Sequence, residues 1–115
     1  KHTHSQLKIM VNGSEVVVPD NVGLSAACHK VLHTHDGEPG KIHLESNINN
    51  DYTFGDFFAV WAKPFSKNQV LDYIADANNE LVMTVDGQPN QEYENLILKD
   101  NQNILIEYRQ IEGRR

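Results

Sequence analysis

Six histidines fall in 115 residues, and five of them sit in three short patterns: His2-x-His4, His33-x-His35 and His43-x-Glu45. Random placement at this composition gives roughly a quarter of one His-x-His pair, whereas the chain has two. On a strand, side chains at i and i+2 project the same way, which a chelating pair needs. Neutral imidazole is the commonest metal ligand and binds zinc at about 2.0–2.1 Å, and a carboxylate can fill a remaining position. His33, His35 and His43 are therefore the first candidate ligands. Asp36 or Glu45 can complete the set, or orient it by accepting a proton from the far ring nitrogen. His2 and His4 join only if the first strand runs beside the segment that carries the other three. Imidazole with carboxylate suits Cu(II), Zn(II) or Ni(II), and the intrinsic affinity order puts copper first with zinc behind it. A closed tetrahedral site would favour zinc and a tetragonal one copper. The competing reading is that these are solvent-facing polar residues on a sheet whose other face is buried.

The segment that must position the ligands runs from Val31 to Glu45. Two runs of alternating polarity flank Asp36-Gly37-Glu38-Pro39-Gly40, which is rich in turn-forming residues, so it reads as two antiparallel strands joined by a loop of about five residues. That register sets His35 opposite Lys41, His33 opposite His43 and Val31 opposite Glu45, since cross-strand neighbours sit about 5 Å apart. The period of two then sorts Leu32, Thr34, Ile42 and Leu44 onto a core face. Val31, His33, His35, Lys41, His43 and Glu45 fall on a wet face. A slip of one residue would bury the histidines and expose the leucines, so the apolar pattern selects the register.

Before this hairpin, Leu7, Ile9 and Val11 alternate with polar residues, Asn12-Gly13 gives a hairpin turn, and Ser14 to Val18 return as a strand. Asn12-Gly13-Ser14 also matches a glycosylation sequon, which its role as a turn explains. Extended backward, the first strand puts His2 and His4 on the face of Gln6 and Lys8, in solvent. Leu24 to His29 is ambiguous between a helical turn and irregular chain. Cys28 fits a small buried hydrophobe, a soft ligand or an intermolecular disulfide partner, and His29 reads as ordinary. Thr53 and Asp56 have capping-box spacing at the start of a helix from Phe54 to Ala62, whose apolar stripe is Phe54, Phe57, Phe58 and Trp61 and which Pro64 stops. Ser66 to Gln69 repeats the capping pattern ahead of a short second helix with Val70, Leu71 and Ile74 buried. Strands follow at Leu81 to Val85, Leu96 to Leu98 and Ile104 to Tyr108.

One domain of 1–110 accommodates these elements, with 111–115 resembling a protease-site remnant. Formal charge is −6 and no basic stripe appears, which argues against nucleic acid and anionic membrane as partners. No apolar run reaches the roughly 18 residues of a membrane span. A single cysteine excludes an intramolecular disulfide. The start at Lys1 reads either as the mature end of an exported chain or as an arbitrary boundary.

The ending from Met83-Thr84-Val85-Asp86-Gly87-Gln88-Pro89 through Asn95 to Tyr108 resembles the closing strands of β-grasp domains, especially transcobalamin-like modules of secreted proteins. The string Cys28-x4-His33-Thr34-His35-Asp36 … Gly40-x-Ile42-His43-x-Glu45, followed by Tyr52-Thr53-Phe54-Gly55-Asp56-Phe57-Phe58-x-x-Trp61, resembles an uncharacterised family of exported bacterial and archaeal domains. Members of that family tend to carry a His-x-His before the first strand, matched by His2 and His4. The resemblance implies export and metal handling and brings no activity with it. The fold expected is α+β and β-grasp-like, with hairpins and one main amphipathic helix across a mixed or antiparallel sheet. The function expected is an extracytoplasmic, non-enzymatic protein that binds, buffers or delivers copper or zinc. The alternatives are a structural or adhesive subunit of a surface assembly, and a metal-dependent enzyme with Glu45 as base.

Overall fold

A computed structural model of the chain describes residues 1–23 and 31–113. Cys28 and His29, together with the ambiguous segment around them, lie outside the described residues, as do Arg114 and Arg115. The first strand, β1 (His2–Val11), does extend backward through both leading histidines. Ser5, Leu7 and Ile9 are buried while Gln6 and Lys8 face out. Asn12 and Gly13 both take positive φ (49° and 84°), as a type I′ turn requires, and return the chain as β2 (Ser14–Val16) with Val11 opposite Ser14. The central hairpin is β3 (Leu32–His33) and β4 (Lys41–Glu45), paired Leu32 to Leu44 and His33 to His43 as the alternation predicts.

α1 (Phe54–Trp61) is the only α-helix among the described residues. The Asp56 amide donates to Thr53 Oγ1 at 3.1 Å and the Thr53 amide to Asp56 Oδ2 at 2.8 Å, so the reciprocal cap satisfies two orphan donors. Ala62 turns left-handed at φ 61° and closes the helix before Pro64. Phe54, Phe57 and Phe58 are fully buried, and Trp61 packs against the latter two at the margin.

The second helix expected after Ser66 is instead a three-stranded meander of β5 (Phe65–Ser66), β6 (Gln69–Val70) and β7 (Tyr73–Ile74). Its two-residue strands are joined by tight turns. Leu71 sits at φ 55° with its amide bonded to the Pro64 carbonyl, and a positive φ at a γ-branched residue breaks any right-handed helix there. Val70 is buried in the core and Leu71 packs against it, but Ile74 is exposed, so the three do not form the single buried stripe that the spacing suggested. β8 (Asn79–Val85) and β9 (Gln88–Pro89) follow, then a 3-10 turn at Tyr93–Asn95. The strand expected at Leu96 to Leu98 reduces to a single bridge between Ile97 and Thr53, because this segment clamps the start of α1. β10 (Gln102–Gln110) is the last strand.

The main sheet is mixed, in the order β3-β4-β1-β10-β8-β9. β1 runs parallel to β10, with Ser5 opposite Gln102 and Val11 opposite Tyr108. The other edge of β1 is divided: residues His2 to Gln6 pair with β4 and residues Ile9 to Val11 with β2. The core lies on one face, where Leu7, Ile9, Ile42, Leu44, Met83, Ile104 and Ile106 meet the aromatic residues of α1. The histidines are on the other.

Candidate metal centre

The pairing of β1 with β4 brings the two His-x-His patterns together. It sets His4 opposite His43 and His2 opposite Glu45, so the condition for His2 and His4 to join is met. Side chains of alternate residues then line one face. Ring centroids of His2 and His4 are 4.8 Å apart, of His4 and His43 4.6 Å, of His43 and His35 4.5 Å, and of His43 and His33 5.4 Å with the last pair stacked. Five of the chain's histidines thus form one unbroken row.

One ligand atom each from His33, His35, His43 and Glu45 lie within 4.8 Å of one another. A tetrahedral ion with bonds of about 2.0–2.1 Å holds its donors about 3.3 Å apart, so no pair has to close by more than about 1.5 Å. His35 is in this group although the strand ends before it. After His33 the chain leaves β4, because the Thr34 amide bonds the Val22 carbonyl at 3.0 Å and Thr34 Oγ1 donates to the Pro19 carbonyl at 2.8 Å. The expected pairing of His35 with Lys41 is therefore no part of the ladder. His35 stands edge-on to both His33 and His43, at 85° and 86°.

The wet face anticipated for these side chains is corrected. His33 is 1% exposed and His43 7%, because each is covered by neighbouring rings on the outer side of the sheet, while His2 is exposed and His4 and His35 are half-buried. Buried polar rings need partners. His33 Nε2 lies 3.0 Å from Glu45 Oε1, and His43 Nε2 lies 3.0 Å from Glu38 Oε1. Asp36 lies in neither group: its carboxylate accepts from Asn21 Nδ2 at 2.8 Å, tying the turn to the segment before β3. The orienting role that sequence reasoning divided between Asp36 and Glu45 is taken by Glu45 and Glu38.

Glu38 is the residue the sequence reading passed over, since Asp36 to Gly40 looked like turn and nothing else. Its position is fixed from β1, where Gln6 Nε2 donates to the Pro39 carbonyl at 2.7 Å and the Leu7 amide to the Gly40 carbonyl at 2.7 Å. Asp100 was also missed. Its Oδ1 accepts from the His4 amide at 2.9 Å and lies 3.9 Å from His4 Nδ1.

Burial pushes the His43 imidazole below its usual pKa, helped by the nearby His35 and His4, while the hydrogen bond and charge of Glu38 oppose the shift without cancelling it. His43 is thereby neutral near pH 7, the form that binds metal. The hydrogen bond from Lys41 is the main cause that holds Glu38 below the usual carboxylate range. Burial alone would raise Glu45, but the charges of His33 and His2 and the bond from His33 outweigh it and hold it low. Both carboxylates are therefore acceptors, and the ring nitrogens facing them carry the protons. This is the carboxylate–imidazole arrangement that sets the tautomer of a ligating histidine.

No family model, curated protein or solved structure matches the chain. No helix among the described residues is long and apolar enough to cross a membrane.

Proposed function

We propose that this chain is an extracytoplasmic metal-binding protein that holds a divalent transition ion, copper ahead of zinc, on His33, His35, His43 and Glu45, and buffers or delivers it. The observation that carries the reading is the convergence of those four donors within 4.8 Å. Three imidazoles and a carboxylate rank Cu(II) above Zn(II) by intrinsic affinity. Export follows from the resemblance to exported His-rich domains, and the helix laid across a mixed sheet supports reading the fold as β-grasp-like. We read the role as binding without catalysis; the contacts of Glu38 and Glu45 with buried imidazoles at 3.0 Å support a role for both carboxylates in orienting ligands.

Equilibrium dialysis of the untagged full chain against Cu(II) and against Zn(II), with elemental analysis, tests the reading. One ion per chain is expected, with affinity lowered in His33→Ala and in His43→Ala. Unchanged stoichiometry and affinity in both variants would end the proposal.

A further inference from the structure

His2, His4 and His43 form a second group whose ligand atoms also lie within 4.8 Å of one another, and its third member belongs to the inner group as well. Side-chain exposure falls steadily along the row, from 60% at His2 and 38% at His4 to 9% at His43 and 1% at His33. The two groups are thus an outer and an inner position on one face, joined at a single side chain. His2 Nε2 also reaches to 4.0 Å of Glu45 Oε1, the exposed corner of the inner group.

What His43 can do at the junction is limited by Glu38. The carboxylate accepts from Nε2 at 3.0 Å, so the proton resides on Nε2 and the ring has one lone pair, on Nδ1. One lone pair binds one ion. Filling both positions together would need a doubly deprotonated ring bridging two ions, and the Glu38 carboxylate occupies the nitrogen that would have to make the second bond.

We propose that His2, His4 and His43 are a loading position for the inner metal site, and that His43 stays bound while the ion exchanges His2 and His4 for His33, His35 and Glu45. The inference rests on the reading of the inner group as a metal site. Each exchange replaces one imidazole nitrogen by another, with the Glu45 carboxylate joining as a further donor, so no covalent bond of the protein breaks and no electron changes hands. His2 and His4 are the more exposed rings, and Glu45, whose side chain is 48% exposed, lies between them and the inner rings, so an ion moving inward is never released from all protein donors at once. The reverse sequence delivers it outward.

Cu(II) alone is the probe, with the full chain throughout. Saturation is expected at one ion per chain, and His2→Ala/His4→Ala is expected to slow stopped-flow loading about tenfold while the copper spectrum of the final complex persists. His33→Ala/His35→Ala is expected to keep one ion on the outer group, weaker by about tenfold or more, and His43→Ala to weaken both positions. Two ions per wild-type chain, unchanged loading in the outer variant, or no binding at all in His33→Ala/His35→Ala would each overturn the loading position while leaving an inner site intact. Wild-type binding that survives both His33→Ala and His43→Ala would instead remove the metal reading itself.

Discussion

Removing Glu38 separates the orientation of a ligand from the ligand itself. In Glu38→Ala every proposed donor remains, and His43 loses the acceptor 3.0 Å from Nε2. Loss of an orienting carboxylate costs about 10–100-fold in metal affinity, and because the Glu38 side chain is 37% exposed and also bonded to Lys41, solvent screening puts the effect at the lower end, about tenfold. Unopposed, the Lys41 ammonium adds to the loss by repelling a cation. Glu38→Gln sharpens the test, because its amide can also donate to Nε2, which would move the proton to Nδ1 and block the donor. Chelator competition at neutral pH gives Kd for both variants, and thermal melting of the metal-free proteins checks that the fold is intact. Affinity within threefold of wild type in a folded Glu38→Ala would refute the claim that Glu38 sets the His43 tautomer.

Gly40 has φ 73°, and a Cβ there would lie 2.2 Å from the Leu7 carbonyl oxygen, so Gly40→Ala should cost about 3 kcal/mol or more in urea unfolding. Gly37 shares the positive φ but has open space around it, and Gly37→Ala should cost only about 1–2 kcal/mol; equal losses would mean that the contact with β1 is unimportant. Thr53→Ala removes the helix cap and should lower stability by about 1 kcal/mol, measured the same way. Metal-free stability should decline as pH falls from neutral. His43 is held below the usual 6.5, so the unfolded chain takes up the extra proton first and stability drops as pH passes down through 6.5. Glu45 is held below 4.5, so its contribution is present above that value and is lost as pH falls through the folded one. Urea midpoints across this range should show His43→Gln flattening the upper part of the decline and Glu45→Gln the lower; a flat wild-type profile would contradict both shifts.

The local elements were legible because short-range chemistry determines them. A strict alternation with an Asp-Gly-Glu-Pro-Gly loop allows one register that buries Leu32 and Leu44, and the structure pairs His33 with His43 accordingly. Thr53 and Asp56 cap each other across one turn, so the helix start is written within four residues. Local pattern misled where apolar spacing suits two conformations: Val70, Leu71 and Ile74 fit a helical stripe, yet tight turns with Leu71 at positive φ make strands of the segment.

What the amino-acid sequence determined by itself was which side chains share a face on each strand, because the side-chain period is a property of the single chain. It also supplied the ligand types. Which strands become neighbours was decided only by the tertiary structure, since the paired residues of β1 and β4 lie 35 to 43 positions apart in the chain and pair through backbone groups that every residue carries. That pairing placed His4 against His43, and the packing of ring on ring buried His33 and His43 where alternation alone assigned them to water. Glu38 followed from the same cause: its carboxylate reaches His43 because β1 holds the turn down through Gln6 and Leu7.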